Sequence, residues 1–236
     1  MKNIVIPDCS QRRLIFYLAM EEYVARYMDD DAFFVWQSDP TVIIGRNQVL
    51  ENEVNLPFCK ENDIQVYRRK SGGGCVYSDK GNIMISCVSS RGTVSDVFDK
   101  YLSELSAVLQ KLGIPAERSG RNDILVEGRK VSGNAFQMMP DRCVVHGTLL
   151  YSTDMDILTE SIRPPHEKLS RYGVESVRQR VLNIAEYVEA KGLTDRRLQS
   201  VEALKKYLVE VFCDGQIFLT ENDIRNIEII EKEYQL

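Results

Sequence analysis

The chain has 236 residues, a formal net charge of −5 and 44% hydrophobic residues, which is the composition of an ordinary globular protein. A chain of this length buries a sufficient hydrophobic core without disulfides or structural metals. Its acidic balance argues against polymeric nucleic acid as a partner, because such binding depends on surplus lysine and arginine to neutralise phosphates. The two histidines are too few for a three-histidine zinc site.

The cysteine pattern and the short apolar runs predict a cytoplasmic protein. The six cysteines lie far apart with no C-x-x-C pair, which favours neither a zinc ribbon nor a small disulfide scaffold. No segment approaches the roughly 18 uncharged apolar residues of a membrane span, and Pro7 interrupts the first apolar run. We therefore expect reduced thiols, no signal peptide and no contact with a membrane.

The hydrophobic pattern predicts helices alternating with short strands. Apolar residues three and four apart predict helices from Leu14, between Val97 and Leu112, and between Leu198 and Val211. Thr220 and Asp223 have the spacing of a capping pair that opens a last helix. Strands are predicted in β-branched and aromatic runs at residues 32–37, 41–45, 64–69, 83–89, 123–126, 129–136 and 144–150.

These elements predict an α+β fold with mixed β-sheets flanked by helices, because hairpins outnumber regular βαβ units. The strands at 32–37 and 41–45 are expected to pair, since only a Ser-Asp-Pro segment separates them. No repeat or linker divides the chain. We expect residues 1–183 to form the main domain and the charged residues 184–236 to form a helical flank packed on it.

A glycine cluster follows one predicted strand. Arg68, Arg69 and Lys70 precede Ser71 and the glycines 72–74. Glycines allow close backbone approach and can turn successive N–H groups towards an anion, while the cations neutralise phosphate oxygens. The segment is similar to a nucleotide-phosphate loop, although it matches neither the Walker A nor the G-x-G-x-x-G pattern. A surface turn beside solvated cations is the alternative, and the pattern leaves both open.

A predicted hairpin carries polar residues in mid-strand. Glu127 and Gly128 have the character of its two-residue turn. The register that follows pairs Val126 with Arg129, Leu125 with Lys130, and Asp123 with Ser132. Because side chains alternate along a strand, the residues expected on one face are Asp123, Lys130, Ser132 and Asn134. Asp123 lies diagonal to Lys130 and within its reach, which indicates a site, and an ordinary exposed ion pair is the alternative.

Two further residues have two interpretations each. His146 lies in an apolar run predicted to be a strand, where it is either a hydrogen-bonded core histidine or part of a ligand wall. Trp36 is the single tryptophan, and it is either a core residue or an apolar wall against a ligand. The pattern alone separates neither pair of alternatives.

Three motifs together resemble the lipoate–protein ligase family. They are Arg-Arg-Lys-Ser-Gly-Gly-Gly at 68–74, Arg-Asn-Asp-Ile-Leu-Val with Gly-Arg-Lys-Val-Ser-Gly-Asn at 121–134, and His-Gly-Thr-Leu-Leu at 146–150. The resemblance covers about residues 10 to 215 and includes Ser-Val-Arg at 176–178 and Val-Leu-Asn at 181–183. It implies an α+β catalytic domain of the kind that lipoate and biotin ligases share.

The resemblance also implies an activity. Such ligases use ATP and Mg²⁺ to activate lipoate as lipoyl-AMP. They then transfer the lipoyl group to a lysine of an apo lipoyl domain, carried by the E2 subunits of 2-oxoacid dehydrogenases or by the glycine-cleavage H protein. On this basis the chain is expected to be an enzyme that takes ATP, Mg²⁺ and lipoate.

Site residues follow from the same resemblance. It implies that Arg69 contacts nucleotide phosphate and that Lys130 is the central catalytic residue, touching both the lipoyl carboxylate and the α-phosphate. Asp123 is implied to hold Mg²⁺ or the lysine. The residues implied to line the adenylate are Gly74, Cys75, Val76 and Tyr77. Those implied to border lipoate, together with Lys130, are Trp36, Gly73 and His146.

Cysteine placement favours a ligase. The octanoyltransferases of this family carry the acyl chain on a cysteine, and the two matching neighbourhoods here, residues 120–122 and 163–166, contain none. Cys75 and Cys143 lie closest to the expected pocket, and we interpret both as inert side chains.

Two alternatives remain open. One is a lipoyl or octanoyl transferase that uses a preformed acyl donor or needs a separate accessory protein. This alternative arises because the sequence ends at Leu236 without the Trp-rich segment and accessory domain with which many ligases continue. Formation of lipoyl-AMP is then expected to be weaker than its use. The other alternative is a non-catalytic lipoate-binding module.

Overall fold

The computed structural model describes residues 1–8, 12–90, 92–120, 122–162 and 180–234. Arg121, His166 and the Ser-Val-Arg segment at 176–178, which the sequence motifs include, lie outside these ranges. The described residues form an α+β fold with mixed sheets flanked by helices, which confirms the predicted class. None of the described helices is long and apolar enough to cross a membrane.

The strands of the described residues are numbered in chain order. They are β1 (Lys2–Val5), β2 (Ala32–Trp36), β3 (Thr41–Ile44), β4 (Gln65–Arg68), β5 (Val76–Ser78), β6 (Asn82–Ser90), β7 (Ala116–Ser119), β8 (Asp123–Val126), β9 (Arg129–Met138), β10 (Arg142–Leu150) and β11 (Gly215–Phe218). All seven predicted strands are present among them. The sequence analysis missed β1, β5, β7 and β11, which are only three or four residues long.

The helices of the same residues are also numbered in chain order. They are α1 (Leu14–Tyr27), α2 (Leu50–Glu53), α3 (Leu56–Glu61), α4 (Val94–Lys111), α5 (Met155–Ser161), α6 (Ile184–Ala190), α7 (Val201–Phe212) and α8 (Glu221–Glu231), with 3₁₀ turns at Arg196–Leu198 and Lys232–Tyr234. The four predicted helices are confirmed as α1, α4, α7 and α8. Thr220 and Asp223 form the predicted capping box at the start of α8.

Eight strands form one sheet in the order β11-β1-β2-β6-β10-β9-β8-β7, and a second sheet has the order β4-β3-β5. The expected pairing of β2 with β3 is therefore wrong. β1 and β6 pair with the two edges of β2, which leaves no free edge for β3. The segment from residue 184 also contributes more than helices, because β11 pairs in parallel with β1.

Side-chain alternation gives the large sheet two apolar faces. Along β6, Ile83 and Ile85 pack in the core beneath α4. Met84 and Val88 point the other way and pack with α1 and α8. The strand predicted as an apolar run is therefore buried on both faces, and the polar side chains on its α1 face lie inside the molecule.

The small sheet positions the glycine cluster. Residues 69–75, which we call the glycine loop, connect β4 to β5 past the end of β3. Gly45 follows β3 at that point, and a Cβ atom there would overlap the carbonyl oxygen of Gly73. Arg46 N also donates to Ser71 O at 2.9 Å. The loop is thus packed backbone to backbone against the end of β3.

Candidate active site

A pocket lies between the α1 face of the large sheet and the small sheet. Its apolar walls come from α1, β2, β3 and β6 through Leu18, Trp36, Ile43 and Met84. Eight of the ten residues that the sequence analysis singled out line it: Trp36, Arg69, Gly73, Gly74, Cys75, Val76, Lys130 and His146. The structure therefore brings together motifs that are separated by up to 110 residues in the sequence.

The two remaining residues lie in different places. Asp123 stands beside Lys130, with 2.8 Å between Asp123 Oδ1 and Lys130 Nζ. Tyr77 is buried in the separate core of the small sheet, with Val42 and Ile44. Burial and the nearby Asp79 carboxylate raise the pKa of the Tyr77 hydroxyl. Tyr77 therefore does not line the pocket, although Val76, which precedes it in β5, does.

The hairpin that carries Lys130 differs from the predicted register. Leu125 pairs with Lys130 and Val126 with Arg129 as predicted, but Asp123 pairs with Gly133 instead of Ser132. A β-bulge between these pairs adds Val131 to β9, and Val131 is buried in the core beneath α4. An extra residue reverses the alternation of side chains beyond it. The predicted shared face is therefore wrong for Ser132, which pairs with the core residue Ile124, and for Asn134, whose Nδ2 donates to Ser132 Oγ.

The bulge explains how Lys130 reaches the pocket. The reversed alternation places Gly133 on the face of Lys130, and the lysine side chain crosses it. A Cβ atom on Gly133 would lie 2.6 Å from both Cε and Nζ of Lys130. Leu182 N donates to Lys130 O at 2.9 Å and holds the backbone. The lysine and Asp123 remain 36% and 33% exposed, so the cation is accessible to a ligand.

Substitution of Gly133 by alanine tests this placement. The added methyl group displaces the flexible end of Lys130 from its rotamer, which costs about 0.5–1.5 kcal/mol. We expect the rate of lipoyl transfer to an apo lipoyl domain, the activity that the sequence resemblance implies, to fall up to roughly tenfold, with little change in melting temperature. Steady-state kinetics and thermal unfolding of the same preparation measure both. An unchanged rate would mean that Lys130 does not act from its position across Gly133.

Arg69 is buried within the glycine loop, and its donors hold the loop together. Nη2 donates to the carbonyl oxygens of Gly72 and Gly74 at 2.8 and 2.7 Å. Nη1 donates to Ile43 O at 3.3 Å and Nε to Ser71 Oγ at 3.1 Å. Burial lowers the pKa of the guanidinium to about 10. Arg69 thus shapes the loop in this structure, and its contact with nucleotide phosphate stays a prediction.

Lys70 anchors the same loop to α1 and to the C-terminal 3₁₀ turn. Its Nζ lies 2.8 Å from Glu22 Oε2 and 2.6 Å from Glu233 Oε2. It also lies 4.6 Å from the ring centroid of Tyr234. Lys70 is therefore bound by protein partners, and it is not among the residues that line the pocket.

His146 is held at both ring nitrogens. Nδ1 lies 2.7 Å from Glu21 Oε2, and Nε2 lies 2.7 Å from Ser71 Oγ. Both interpretations of this histidine therefore apply, since it lines the pocket and is also hydrogen-bonded within the core. The sequence analysis missed Glu21 and Ser71. The available signal was the pair Glu21 and Glu22 inside α1, a helix that is apolar on nearly all sides.

Two cysteines were expected near the pocket, and of these Cys75 lines it while Cys143 does not. Burial raises the pKa of Cys75 to about 12, so a thiolate is rare at neutral pH. Cys143 is fully buried in β10 beside Ser89, away from the pocket walls. All five cysteines that the structure describes are free.

The carboxylate beside Lys130 fits a metal ion that arrives with other ligands. Among the described residues, no group of three or more His, Cys, Asp or Glu side chains is arranged to hold a metal. Asp123 is paired with Lys130, and no carboxylate is among the described residues that line the pocket. Mg²⁺ is commonly bound by one or two carboxylates together with substrate phosphates and water. Asp123 is compatible with that mode and not with a closed protein cage.

Comparisons with known proteins agree on one family. A family model described as the lipoyl protein ligase A/B catalytic domain matches residues 14–213. Lipoate-protein ligase LplJ of Bacillus subtilis is 36% identical over 225 residues, which cover 92% of this chain and 66% of that relative. The chain therefore spans just under two thirds of the length of this relative.

Solved structures show the same similarity. The bipartite lipoate protein ligase of Thermoplasma acidophilum, described with its E2 lipoyl domain, superimposes with a TM-score of 0.83 at 26% identity, over 98% of this chain and 92% of that one. Lipoate-protein ligase A bound with ATP gives a TM-score of 0.79 at 25% identity, over 98% and 94%. The fold that surrounds the pocket is thus the fold of these proteins.

Proposed function

The chain belongs to the lipoyl protein ligase A/B catalytic domain family, and on that premise we propose that it is an ATP-dependent lipoate–protein ligase. It activates lipoate as lipoyl-AMP and transfers the lipoyl group to a lysine of an apo lipoyl domain. Two relatives support the proposal through their own ligands and partners. One is described with bound ATP and the other with its E2 lipoyl domain.

The observation that carries the proposal is the accessible cation of Lys130 beside an apolar pocket. Leu18, Ile43 and Met84 offer a wall for a hydrocarbon chain, and Lys130 lines the same pocket with a cation suited to the carboxylate of such a chain. The glycine loop lines the same pocket and exposes backbone to a nucleotide. An apolar tail, a carboxylate and a phosphate group therefore each meet a suitable surface.

The first step joins two anions. A carboxylate oxygen of lipoate forms a bond to the α-phosphorus of ATP as the bond to pyrophosphate breaks. Negative charge accumulates on the phosphoryl oxygens, and fixed cations aimed at them lower the barrier. Lys130 supplies such a cation. Asp123 is the residue that we propose would hold Mg²⁺, which would supply further neutralisation of the phosphate charge.

The second step transfers the acyl group. The amine of the carrier lysine attacks the carbonyl carbon of lipoyl-AMP, AMP leaves, and the amine loses a proton as the amide forms. Lys130 polarises the carbonyl oxygen, while the apolar walls keep water from the mixed anhydride. We propose the apo lipoyl domains of 2-oxoacid dehydrogenase E2 subunits and the glycine-cleavage H protein as acceptors, and the cytoplasm as the place of reaction.

The test compares two donors. The purified chain is mixed with an apo lipoyl domain, the carrier of the lipoyl group. One reaction contains lipoate, ATP and Mg²⁺, and the other contains preformed lipoyl-AMP. The mass of the intact carrier is then measured by mass spectrometry. We expect modification of one carrier lysine from both donors. Modification from lipoyl-AMP alone would instead indicate a transferase that needs an accessory protein, and modification from neither would refute the proposal.

Substitution of Cys75 and Cys143 tests whether an acyl thioester takes part. Cys75→Ala and Cys143→Ala should each modify the apo lipoyl domain at a rate within several-fold of the wild-type rate, because the acyl group passes through the adenylate. A raised thiol pKa also makes Cys75 a poor nucleophile. Intact-mass measurement after incubation with lipoyl-AMP should find no acyl adduct on the enzyme. A trapped thioester would move the protein to the transferase class.

A further inference from the structure

A series of buried hydrogen bonds runs behind the pocket. We call it the Glu21 series, and its members in order are Trp36, Ser86, Glu21, His146, Ser71 and Arg69. Trp36 Nε1 donates to Ser86 Oγ at 2.9 Å, and Ser86 Oγ donates to Glu21 Oε1 at 2.5 Å. All six side chains are buried, with Glu21 only 3% exposed. The Glu21 series therefore joins the apolar wall of the pocket to the glycine loop.

The chemistry of each group fixes the direction of every hydrogen bond. An arginine only donates, so Ser71 Oγ accepts from Arg69 Nε and has its own hydrogen for His146 Nε2. An ionised carboxylate only accepts, so His146 Nδ1 carries the hydrogen that meets Glu21. With a ring that carries its one hydrogen on Nδ1, both ends of the series donate towards Glu21.

Two members of the series, Glu21 and Arg69, have side chains of opposite charge. Every hydrogen bond described for the Arg69 guanidinium goes to an uncharged acceptor: Ile43 O, Ser71 Oγ, Gly72 O or Gly74 O. The Glu21 carboxylate accepts from Ser86 and His146. Aligned hydrogen bonds in a low-dielectric interior polarise one another. The carboxylate of Glu21 is thus connected to the buried guanidinium through His146 and Ser71.

We propose that Glu21 is a positioning residue for the glycine loop. It holds His146 in the Nδ1-protonated form, so that Nε2 accepts the Ser71 hydroxyl and Ser71 accepts Arg69. Arg69 in turn binds the carbonyl groups of the loop. Glu21 touches neither the loop nor the pocket ligand, and it acts on the nucleotide only through this series. The proposal deepens the proposed function, on which its kinetic consequence rests.

The protonation of His146 is measured without any substrate. The chain has two histidines, so His166→Gln leaves His146 as the only source of imidazole signals in a protein made with isotope-labelled histidine. We expect nitrogen NMR to find a neutral ring protonated on Nδ1. Glu21→Ala should abolish that preference, and Glu21→Gln, which keeps the volume but offers one acceptor oxygen instead of two, should weaken it.

Glu22 provides the matched control. It is the next residue of α1 and equally buried, but it binds Lys70 and Arg26 instead of the imidazole. Glu22→Gln should therefore leave the His146 signals unchanged. A ring protonated on Nε2 or on both nitrogens in the unmodified chain would overturn the proposal, as would a ring unaffected by both Glu21 substitutions.

The kinetic consequence is a lack of additivity. Loss of one hydrogen bond of this kind costs about 0.5–1.5 kcal/mol, so Glu21→Gln and Ser71→Ala should each lower kcat/KM for ATP by up to roughly tenfold. Because both act through one series, the double variant should be no worse than the worse single variant. Multiplied losses would overturn the coupling. A chain without ligase activity would instead refute the proposed function, and the NMR result would still decide the role of Glu21.

Discussion

Replacement of Lys130 by alanine is expected to lower both the formation and the use of lipoyl-AMP by a factor of hundreds. Removal of one preorganised donor at a developing negative charge typically costs about 3–4 kcal/mol, and the account gives this single ammonium group a role in both steps. The pair with Asp123 is partly exposed, so its loss should cost less than about 1 kcal/mol of folding free energy. Rates from lipoate with ATP and from preformed lipoyl-AMP measure the two steps separately.

Lys191 is the matched control for this substitution. It lies beside the same hairpin, 2.6 Å from Glu127 Oε1, and is 45% exposed. It is not part of the pocket lining. Lys191→Ala should therefore leave both rates close to those of the unmodified chain. Near-normal rates for Lys130→Ala would show that the site has been assigned to the wrong residue.

Substitution of Gly45 by alanine should cost both activity and stability. Its Cβ atom would overlap the Gly73 carbonyl oxygen, and neither backbone can yield without moving the glycine loop. Overpacking of this kind typically costs about 1–3 kcal/mol of folding free energy. A displacement of about 1 Å in a positioning element can lower the rate on the order of a hundredfold. Thermal unfolding and ATP-dependent carrier modification should therefore both report the change.

Gly72 in the same loop shows whether the effect depends on the close approach. A Cβ atom there meets nothing within 4 Å, so Gly72→Ala should leave the melting temperature essentially unchanged. If Gly45→Ala were as stable as Gly72→Ala, the packing of the loop against β3 would not be as described.

Long periodic segments allowed most of the fold to be predicted from the sequence. The helix between Val97 and Leu112 appears as α4, and the strand at 123–126 appears with the same bounds as β8. The missed strand β11 has four residues and, unlike β8, does not pair with the strand next to it in the sequence. It is stabilised by pairing with β1, a contact more than 200 residues distant in sequence.

The site could be predicted in its composition but not in its detailed geometry. The motifs assigned Arg69, Lys130 and His146 to one site, and all three line the pocket. The bulge at Val131 was not visible in the hairpin pattern, because tertiary packing in the core beneath α4 selects it. Glu21 was also missed, since no local pattern reveals that a helix residue will meet a histidine 125 positions later.

Detection of the acyl-adenylate tests the central claim most directly. The chain is incubated with lipoate, ATP and Mg²⁺ in the absence of any carrier, and the products are separated and identified by mass spectrometry. We expect lipoyl-AMP and pyrophosphate only when both substrates are present, and neither product above background from the Lys130→Ala variant. Modification of a later-added apo lipoyl domain without lipoyl-AMP as intermediate, or with the lipoyl group carried on a cysteine of the enzyme, would contradict the account.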